Sequence, residues 1–539
     1  MFRSPFRGQS KLIYLLVMAG ALVAVAAMYI ICLIAIHVSV ALSSASVSTS
    51  SRATNPRSDG FVAGLLAAVM WTLLMIVLAI VLFGDGSAWI AGGVVGVPVG
   101  LVVGWQVSGW QEARSWSRFP GAAVIGDWRT RLFKVSRPYT VTPGERMKHI
   151  VCSGATGSGK TTLATNLIVE DIRSGAGVCV IDPKDDLVNR ILPHIPPERT
   201  DDVIVLDATD LEAPLGLNPL AGVPESQRSL MASQLISVFR RYFADAWGAR
   251  LEHVLRNVIL ALLEVPGATL VDIPRLLMDE SFLRRVADQV TNPAVREFLL
   301  VEYERVLKRR SDAIEPILNK VGPWLSYPEL RNIIGQEKPA FDFRRVMDEG
   351  QILLVRIPQG AFGEDVSNLL GALVVAKIQL AAQSRVDVHP SYRRPFILYV
   401  DEFQNFATSS FTKILTEARA FGLGLVCVNQ YPEQLSRELQ QALVRNAATF
   451  IACTYRRGEY IAEVTRQEDL GEKKVPVYSV RPPAPLPPGD EQRSALIREA
   501  SRRRYASVPA SIGTHEPGRS LTLQSAPDGQ RWGTDCDEE

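Results

Sequence analysis

The stretch His149–Thr162, HIVCSGATGSGKTT, decides the fold of this chain. Within it, residues 154–161, GATGSGKT, fill every fixed position of the pattern G-x-x-x-x-G-K-[ST]. An apolar run leads into this loop, and the segment after it has the apolar spacing of a helix. The order strand, glycine-rich loop, helix predicts a phosphate-binding loop and hence a nucleotide triphosphatase. A chance glycine-rich turn is the alternative, and this order argues against it.

The chemistry of the loop follows from its residue types. Glycines let backbone N–H groups fold around an anion that carries several charges. Lys160 then places a positive charge on the β- and γ-phosphates of ATP, and the hydroxyl of Thr161 ligates Mg²⁺. The predicted nucleotide-binding residues are Gly154, Ala155, Thr156, Gly157, Ser158, Gly159, Lys160, Thr161 and Thr162.

A second motif, FILYVDE at residues 396–402, supplies carboxylates. Its first five residues, all apolar or aromatic, are typical of a strand that is buried on both faces, as in a parallel sheet. We predict that Asp401 binds Mg²⁺ and that Glu402 polarises the attacking water, because phosphoryl transfer depends on positioning and charge neutralisation. A buried strand that ends in a solvated acidic turn is the alternative.

The N-terminal part of the chain is strongly apolar. The chain has 539 residues, of which 47% are hydrophobic. Residues 12–42 and 61–83 each exceed the roughly 20 apolar residues that a membrane span requires. The glycine-rich stretch 88–108 crosses the bilayer, re-enters it or packs against a neighbouring helix. Because basic residues flank both ends of this region, two spans satisfy the positive-inside rule. We predict a multi-pass protein of the inner (plasma) membrane with a cytoplasmic ATPase domain.

Beyond the anchor, short apolar strands alternate with helical patterns, which is typical of an α/β sheet. This alternation of strands and helices stops near residue 220 and resumes after 326. The C-terminal stretch is rich in proline and polar residues. Six cysteines without C-x-x-C spacing are predicted to be mainly reduced core thiols. The predicted organisation is a membrane anchor at 1–110, a linker and entry strand region at 111–148, a P-loop ATPase domain at 149–221 and 330–470, an all-helical insertion at 222–329 and a largely disordered tail at 471–539.

Seven ordered blocks of sequence resemble the membrane-anchored coupling ATPases of type IV secretion and conjugation, the TraG/TraD type within the HerA/FtsK group of motors. The blocks are HIVCSGATGSGKTT (149–162), VIDPKDDL (180–187), LGLNPL (215–220), WGARLEHVLRN (247–257), DEFQNF (401–406), EARAFGLGLVCVNQYPEQL (417–435) and RNAATFI (445–451). Together they are far more specific than a phosphate loop alone. The resemblance implies a RecA-like P-loop fold with a mainly parallel sheet, a helical insertion and an N-terminal membrane anchor.

The resemblance also implies partners and further site residues. Members of the family form hexameric rings around a DNA channel, so we expect a homo-hexamer that binds DNA, a relaxase and components of the secretion channel. Arg419 occupies the place of the family's arginine that stabilises phosphoryl charge from a neighbouring subunit, and a surface arginine is the alternative. Gln430 is expected to sense the γ-phosphate or to orient water. Asp182 and Lys184 either couple subunits or cap the following helix, and the sequence leaves both possibilities open.

The sequence therefore leads to a functional hypothesis with two open alternatives. The hypothesis is an ATP-hydrolysing membrane motor that couples a relaxase-bound single DNA strand to a type IV secretion channel, with Lys160, Glu402, Arg419 and Gln430 in catalysis. The net charge of +2 gives no independent support for nucleic acid, so the DNA substrate rests on the resemblance. A motor for protein effectors and a nucleotide-gated membrane receptor without significant turnover are the alternatives.

Overall fold

The described part of the chain forms two compact units. The computed structural model describes residues 123–129, 136–242, 247–303, 314–407, 410–456, 458–466 and 477–506. The predicted membrane segments 12–42, 61–83 and 88–108 lie outside these residues. Among the described residues, the first unit contains those up to Pro143 together with Tyr478–Pro483, and the second contains Gly144–Val477 and those from Ala484 onward.

The first unit is a small antiparallel sheet. Its strands are β1 (Ala123–Arg129), β2 (Ser136–Val141) and β11 (Tyr478–Arg481). Strand β1 pairs with both of the others, and the register shifts between Val124 and Gly126. A Cβ atom at Gly126 would lie 2.2 Å from the carbonyl oxygen of Arg481, so only glycine allows β11 to approach this closely.

The second unit is built on a mostly parallel sheet. Its strands are β3 (Ile150–Ser153), β4 (Gly177–Asp182), β5 (Val203–Asp207), β6 (Ile352–Arg356), β7 (Phe396–Val400), β8 (Leu423–Asn429), β9 (Thr449–Arg456) and β10 (Glu459–Arg466). Their order is β10-β9-β3-β8-β7-β4-β6-β5, and the β9–β10 pair is antiparallel while the other neighbours are parallel. Every residue of β4, β7 and β8 is buried, as expected for strands with helices on both faces. The predicted α/β fold with a mainly parallel sheet is confirmed.

Helices cover this sheet and fill the long connection between β5 and β6. They are α1 (Pro143–Arg146), α2 (Lys160–Arg173), α3 (Leu187–Ile191), α4 (Glu225–Tyr242), α5 (Ala249–Glu264), α6 (Asp272–Met278), α7 (Glu280–Gln289), α8 (Pro293–Glu297), α9 (Glu315–Ser326), α10 (Pro328–Ile334), α11 (Phe343–Glu349), α12 (Gln359–Phe362), α13 (Glu364–Ser384), α14 (Ser410–Glu417), α15 (Arg437–Asn446) and α16 (Glu491–Tyr505). Short 3₁₀ segments and one π-helical turn, Phe298–Glu302, join them. Helices α4 to α11 all lie between β5 and β6, and the described residues of that connection contain no strand.

The four described cysteines of the second unit are all buried. Cys152, Cys179, Cys427 and Cys453 are buried free thiols, as the sequence predicts, whereas Cys32 and Cys536 lie outside the described residues.

Within the described ranges, one helical segment, Glu364–Asp387, is long and apolar enough to cross a membrane. Most of its apolar window, 83%, is buried inside the protein, which is typical of a core helix.

The structure corrects part of the predicted disordered tail. Within 471–539, residues 477–506 form β11, a proline-rich run and α16. Helix α16 lies along the edge strand β5, where the hydroxyl of Ser501 accepts a hydrogen bond from the N–H of Val205 at 2.9 Å. Three arginines of the helix also form ion pairs with aspartates near this edge, Arg498 with Asp207, Arg502 with Asp210 and Arg504 with Asp201. Polar contacts hold this helix, and an apolar pattern in the sequence therefore does not reveal it.

Candidate active site

The glycine-rich loop joins the end of β3 to the start of α2. Gly154 has a φ of 156°, and a Cβ atom there would lie 2.2 Å from the carbonyl oxygen of Cys453 on the neighbouring strand β9. Gly159 precedes the helix with a left-handed φ of 91°, and no side chain caps the helix at this end. The loop is therefore held close to the sheet, and the first N–H groups of α2 face the loop without a capping side chain.

Lys160 and Ser158 point into this loop. The Lys160 ammonium donates to the carbonyl oxygens of Gly154 at 2.5 Å and Ala155 at 2.9 Å, and the residue is buried. The hydroxyl of Ser158 is also buried, and it has no hydrogen-bond partner among the described residues. A buried cation, an orphaned hydroxyl and uncapped N–H groups form a cradle that fits a phosphate chain.

The acidic pair follows β7 directly. Asp401 is 5% exposed, and burial, with the neighbouring charge of Glu402 as the second cause, raises its pKa to about 6. Asp182, at the end of the adjacent strand β4, is also buried and adds to this negative potential. A divalent cation bound beside Asp401 would neutralise part of this negative potential.

Glu402 is held by three side chains. Its backbone is in the left-handed region, with a φ of 47°, which is uncommon for a residue other than glycine. Its carboxylate accepts hydrogen bonds from Lys184, Gln404 and, at 3.1 Å, the amide of Gln430. Burial alone raises the pKa of Glu402, but these donors, with Lys184 first among them, hold it below the usual value. The carboxylate is therefore ionised and fixed in orientation.

Gln430 connects the acidic pair to the loop. It follows β8, which lies between β3 and β7 in the sheet. Its carbonyl oxygen accepts a hydrogen bond from the N–H of Gly154 at 3.2 Å, while its side chain donates to Glu402. The structure thus brings the predicted residues of the loop, Asp401, Glu402 and Gln430 together at the carboxyl ends of the parallel strands, where α/β sheets bind ligands.

Arg419 lies at the amino-terminal ends of the parallel strands, opposite the end where Asp401, Glu402 and Gln430 lie. It belongs to the 3₁₀ turn Ala418–Phe421, which precedes β8, and its charge acts on His149 at the start of β3. Strand β8 has seven residues, so the two ends of the strand are about 23 Å apart. Within one chain the structure does not bring Arg419 to the other predicted site residues.

Comparison with known proteins places these features in a family. The family model described as the type IV secretion-system coupling protein DNA-binding domain matches residues 138–476. The chain belongs to this family. This coupling protein is similar to the type 4 coupling protein DotL of Legionella pneumophila, with 23% identity over 346 residues. That match spans 52% of the chain and 43% of DotL, so the chain covers less than half of the length of this relative.

Solved structures with a similar fold include a plasmid coupling protein and a VirB4 protein. The structure of TrwB in complex with ADP and Mg²⁺ has 16% identity and a TM-score of 0.44, and the match covers 66% of this coupling protein and 89% of TrwB. VirB4 of Thermoanaerobacter pseudethanolicus has 14% identity and a TM-score of 0.39, with 67% of this chain and 96% of VirB4 covered.

The structure shows the contacts that Asp182 and Lys184 make within the chain. The carboxylate of Asp182 accepts hydrogen bonds from the backbone N–H groups of Lys184 at 3.0 Å and Val188 at 2.9 Å, so it holds the turn that enters α3. The Lys184 side chain instead extends to Glu402. Sequence reasoning missed this contact, because the spacing along the chain does not show that β4 and β7 are neighbours. It also missed the contact of Gln404, which lies only two residues after Glu402.

The candidate metal ligands of this coupling protein are few. The described ranges contain no group of three or more His, Cys, Asp or Glu side chains arranged to hold a metal ion. Such a group is not required for Mg²⁺, which keeps several waters and binds through one or two protein ligands plus substrate phosphates. Thr161, at the start of α2, and Asp401 therefore fit this ion.

Proposed function

We propose that this coupling protein hydrolyses ATP with Mg²⁺ and uses the energy to pass a relaxase-bound single DNA strand to a type IV secretion channel. The observation that carries this proposal is the connected site at one sheet edge, from the loop through Gln430 to Glu402. A binding switch without turnover does not need a buried, oriented and ionised carboxylate beside a phosphate cradle. This arrangement is the one that hydrolysis requires.

Each residue of the site has a role in this chemistry. Thr161 and Asp401 would hold Mg²⁺, which neutralises charge on the transferred phosphoryl group. Lys160 exchanges its loop carbonyl partners for phosphate oxygens, at little cost because its ammonium already lies in the loop. Glu402 orients and polarises the attacking water, and Gln430 holds that carboxylate while it is close enough to the loop to respond to the phosphate. The burial of the carboxylates strengthens these electrostatic effects.

The proposal includes a ring and a membrane anchor. Arg419 is far from the site of its own chain, so we assign it to the site of a neighbouring subunit in a homo-hexamer, where its guanidinium stabilises phosphoryl charge. Residues 12–42 and 61–83 anchor the ring in the inner membrane as a multi-pass protein with cytoplasmic ATPase domains. We assign contacts with DNA and the relaxase to the helical connection between β5 and β6, and contacts with the secretion channel to the predicted membrane segments.

The experiment is steady-state ATP hydrolysis by the full-length chain in detergent, with no nucleic acid, with single-stranded DNA and with double-stranded DNA. Glu402→Gln is the inactive control, because it keeps hydrogen-bonding capacity and removes the charge. We expect turnover that single-stranded DNA stimulates and that this variant abolishes. If a protein substrate stimulates turnover and DNA does not, the result supports a motor for protein effectors. If the chain binds nucleotide without turnover, the result supports the receptor alternative.

A mixing experiment tests the ring separately. Arg419→Ala and Glu402→Gln chains are each expected to be inactive. Mixed rings contain interfaces in which an intact Arg419 faces an intact Glu402, so mixing the two inactive proteins restores part of the activity. Absence of any recovery in rings shown to contain both chains argues against a role of Arg419 between subunits.

A further inference from the structure

The turn Ala418–Phe421, which carries Arg419, ends against two other arginines. Arg385 and Arg393 belong to the connection between α13 and β7. The Arg385 guanidinium donates to the carbonyl oxygen of Phe421 at 3.0 Å, and the Arg393 guanidinium donates to the carbonyl oxygen of the preceding residue. Carbonyl groups at the end of a helical turn lack partners within that turn, so basic side chains near them satisfy these groups. Two guanidinium groups therefore hold the end of the turn.

Arg385 is a buried and fixed support. Its side chain is 0% exposed. Its Nε atom donates to the carboxylate of Asp348 at 2.9 Å, and Nη2 donates to the carbonyl oxygen of Arg394 at 2.8 Å. The turn packs closely on it, since a Cβ atom at Gly422, the left-handed residue that ends the turn, would lie 3.2 Å from Nη1. Because all three guanidinium nitrogens have acceptors, contacts within one chain fix the position of this group.

Arg393 joins the turn to the connection that precedes β7. Its Nε atom donates to the carbonyl oxygens of Arg385 at 3.0 Å and Val388 at 2.8 Å, while Nη1 donates to Ala420. The guanidinium carbon also lies 5.5 Å from the centre of the Phe421 ring, which is a cation–π contact. The planar fork of arginine allows one side chain to make all of these contacts, whereas a lysine ammonium is a single point of charge.

The position of Arg419 depends on this support. Arg419 is exposed, so packing does not fix its side chain, and the turn sets where it begins. We propose that Arg385 and Arg393 are positioning residues that hold the turn where Arg419 reaches the phosphates bound to a neighbouring subunit. This inference rests on the proposed role of Arg419 between subunits. A small movement of the turn is enough to matter, because a displacement of about 1 Å can cost roughly a hundredfold in rate.

The first test replaces Arg393 with methionine, which keeps an apolar stem and removes the fork. Arg393 is half-buried, so this change is milder than the loss of the fully buried Arg385. We expect DNA-stimulated ATP hydrolysis by the full-length chain to show a kcat about tenfold below wild type, because the turn loses a charged hydrogen bond. The affinity for a non-hydrolysable ATP analogue is expected to stay within about twofold. A wild-type kcat overturns the inference.

Arg394→Met is the matched control. Arg394 is the next residue, and its guanidinium also donates to two backbone carbonyl oxygens, those of Glu349 and Gly175, neither of which belongs to the turn. Its own carbonyl group, which binds Arg385, is unchanged by the substitution. The control is expected to hydrolyse ATP like the wild type. An equal decrease of kcat in both variants overturns the inference, because general loosening of the connection then explains the effect.

A mixing experiment distinguishes a misplaced Arg419 from damage to the site of the same chain. Arg393→Met chains keep an intact nucleotide site, and Glu402→Gln chains supply a well-placed Arg419. Equal mixing is expected to raise the activity about fivefold above the mean of the two unmixed proteins, for interfaces that act independently in a head-to-tail ring. Arg419→Ala chains supply no arginine, so mixing them with Arg393→Met is expected to give no gain.

The outcomes separate this inference from the function on which it rests. If Arg393→Met gains activity with both partners, or with neither while Arg419→Ala and Glu402→Gln complement each other, the positioning role is overturned and the proposed function stands. If Arg419→Ala and Glu402→Gln do not complement each other, the role of Arg419 between subunits is overturned, and this inference with it.

A second variant keeps the inference testable if Arg393→Met does not fold. Arg393→Lys keeps the charge, but its single ammonium does not bind both the connection and the turn. A smaller loss of kcat with the same mixing pattern is expected. Wild-type kcat in Arg393→Lys, or a loss that Glu402→Gln chains do not rescue, overturns the positioning role.

Discussion

Replacing Lys184 with methionine tests whether this lysine positions the carboxylate of Glu402, the group that we propose polarises the attacking water. The Glu402 side chain is 3% exposed, and Lys184 is the charged donor among its three partners. Methionine keeps the length and apolar stem of lysine but removes the charge. In this variant only the neutral amides of Gln404 and Gln430 offset the effect of burial, which raises the pKa of Glu402. The pKa of Glu402 therefore rises, and the carboxylate loses one of the contacts that fix its orientation.

The expected magnitude follows from the contact and its exposure. A hydrogen bond to a charged group contributes about 1.5–3 kcal/mol, and the lower end applies here because the Lys184 side chain is 43% exposed to screening solvent. About 1.5 kcal/mol of lost orientation corresponds to roughly a tenfold decrease in kcat. Because general-base action needs the ionised form, the acid limb of the kcat profile also moves to higher pH.

The assay is DNA-stimulated ATP hydrolysis by the full-length chain between pH 5 and pH 9, with ATP affinity measured in parallel. We expect kcat to fall while affinity stays close to wild type, since Lys184 contacts Glu402 and not the loop. Lys184→Arg, which keeps a charged donor, is expected to restore most of the activity. Lys338→Met is the matched control at an exposed lysine. An unchanged kcat and pH profile in Lys184→Met, or faster turnover, refutes the positioning role.

Three further predictions concern side chains that lie beside the parallel sheet. Gln430→Leu is expected to lower kcat about tenfold with little change in ATP affinity, because its amide contacts Glu402 whereas its backbone bond to Gly154 remains; steady-state kinetics and calorimetry check this. His149 is buried, and burial is the main cause that lowers its pKa to about 4 from 6.5. The stability that depends on a neutral His149 is fully present above pH 6.5 and is lost as the pH falls through 4. Urea titrations should therefore show about 2 kcal/mol less stability at pH 5 than at pH 7, and a smaller difference in His149→Gln. Arg146→Met breaks an ion pair with Asp171 at 2.6 Å in which both side chains are buried, and should destabilise the fold by about 3–5 kcal/mol, part of which Asp171→Asn should recover in the double variant.

The parts of the site that the sequence predicted are those that depend on consecutive residues. A phosphate loop is a local structure, because glycines, lysine and threonine act through the turn and helix that they themselves form. The DE pair after an apolar strand is local in the same sense. Both motifs could therefore be assigned from the sequence, and the ends of parallel strands bring such motifs to one edge whatever the order of the strands.

The parts that the sequence did not predict depend on which strands are neighbours and on polar contacts over long separations. Lys184 and Glu402 are 218 positions apart, and only the pairing of β4 with β7 brings them together. The contact of Ser501 with Val205 joins residues 296 positions apart. Helix α16 has few buried apolar residues, so composition predicted disorder where arginine–aspartate pairs along β5 provide the stability.

The polarity of the sheet explains why Arg419 cannot complete the site of its own chain. In a parallel sheet, residues that follow strands gather at one edge and residues that precede strands gather at the other. Gln430 follows β8 and Arg419 precedes it, so the strand itself separates them. No rearrangement of loops at either edge removes a separation of about 23 Å. An arginine at this position acts on phosphate only where the opposite edges of two subunits meet, which is the arrangement of a head-to-tail ring. In the proposed function the catalytic unit is therefore an interface between two copies, and recovery of activity on mixing Arg419→Ala with Glu402→Gln is the result that this proposal predicts.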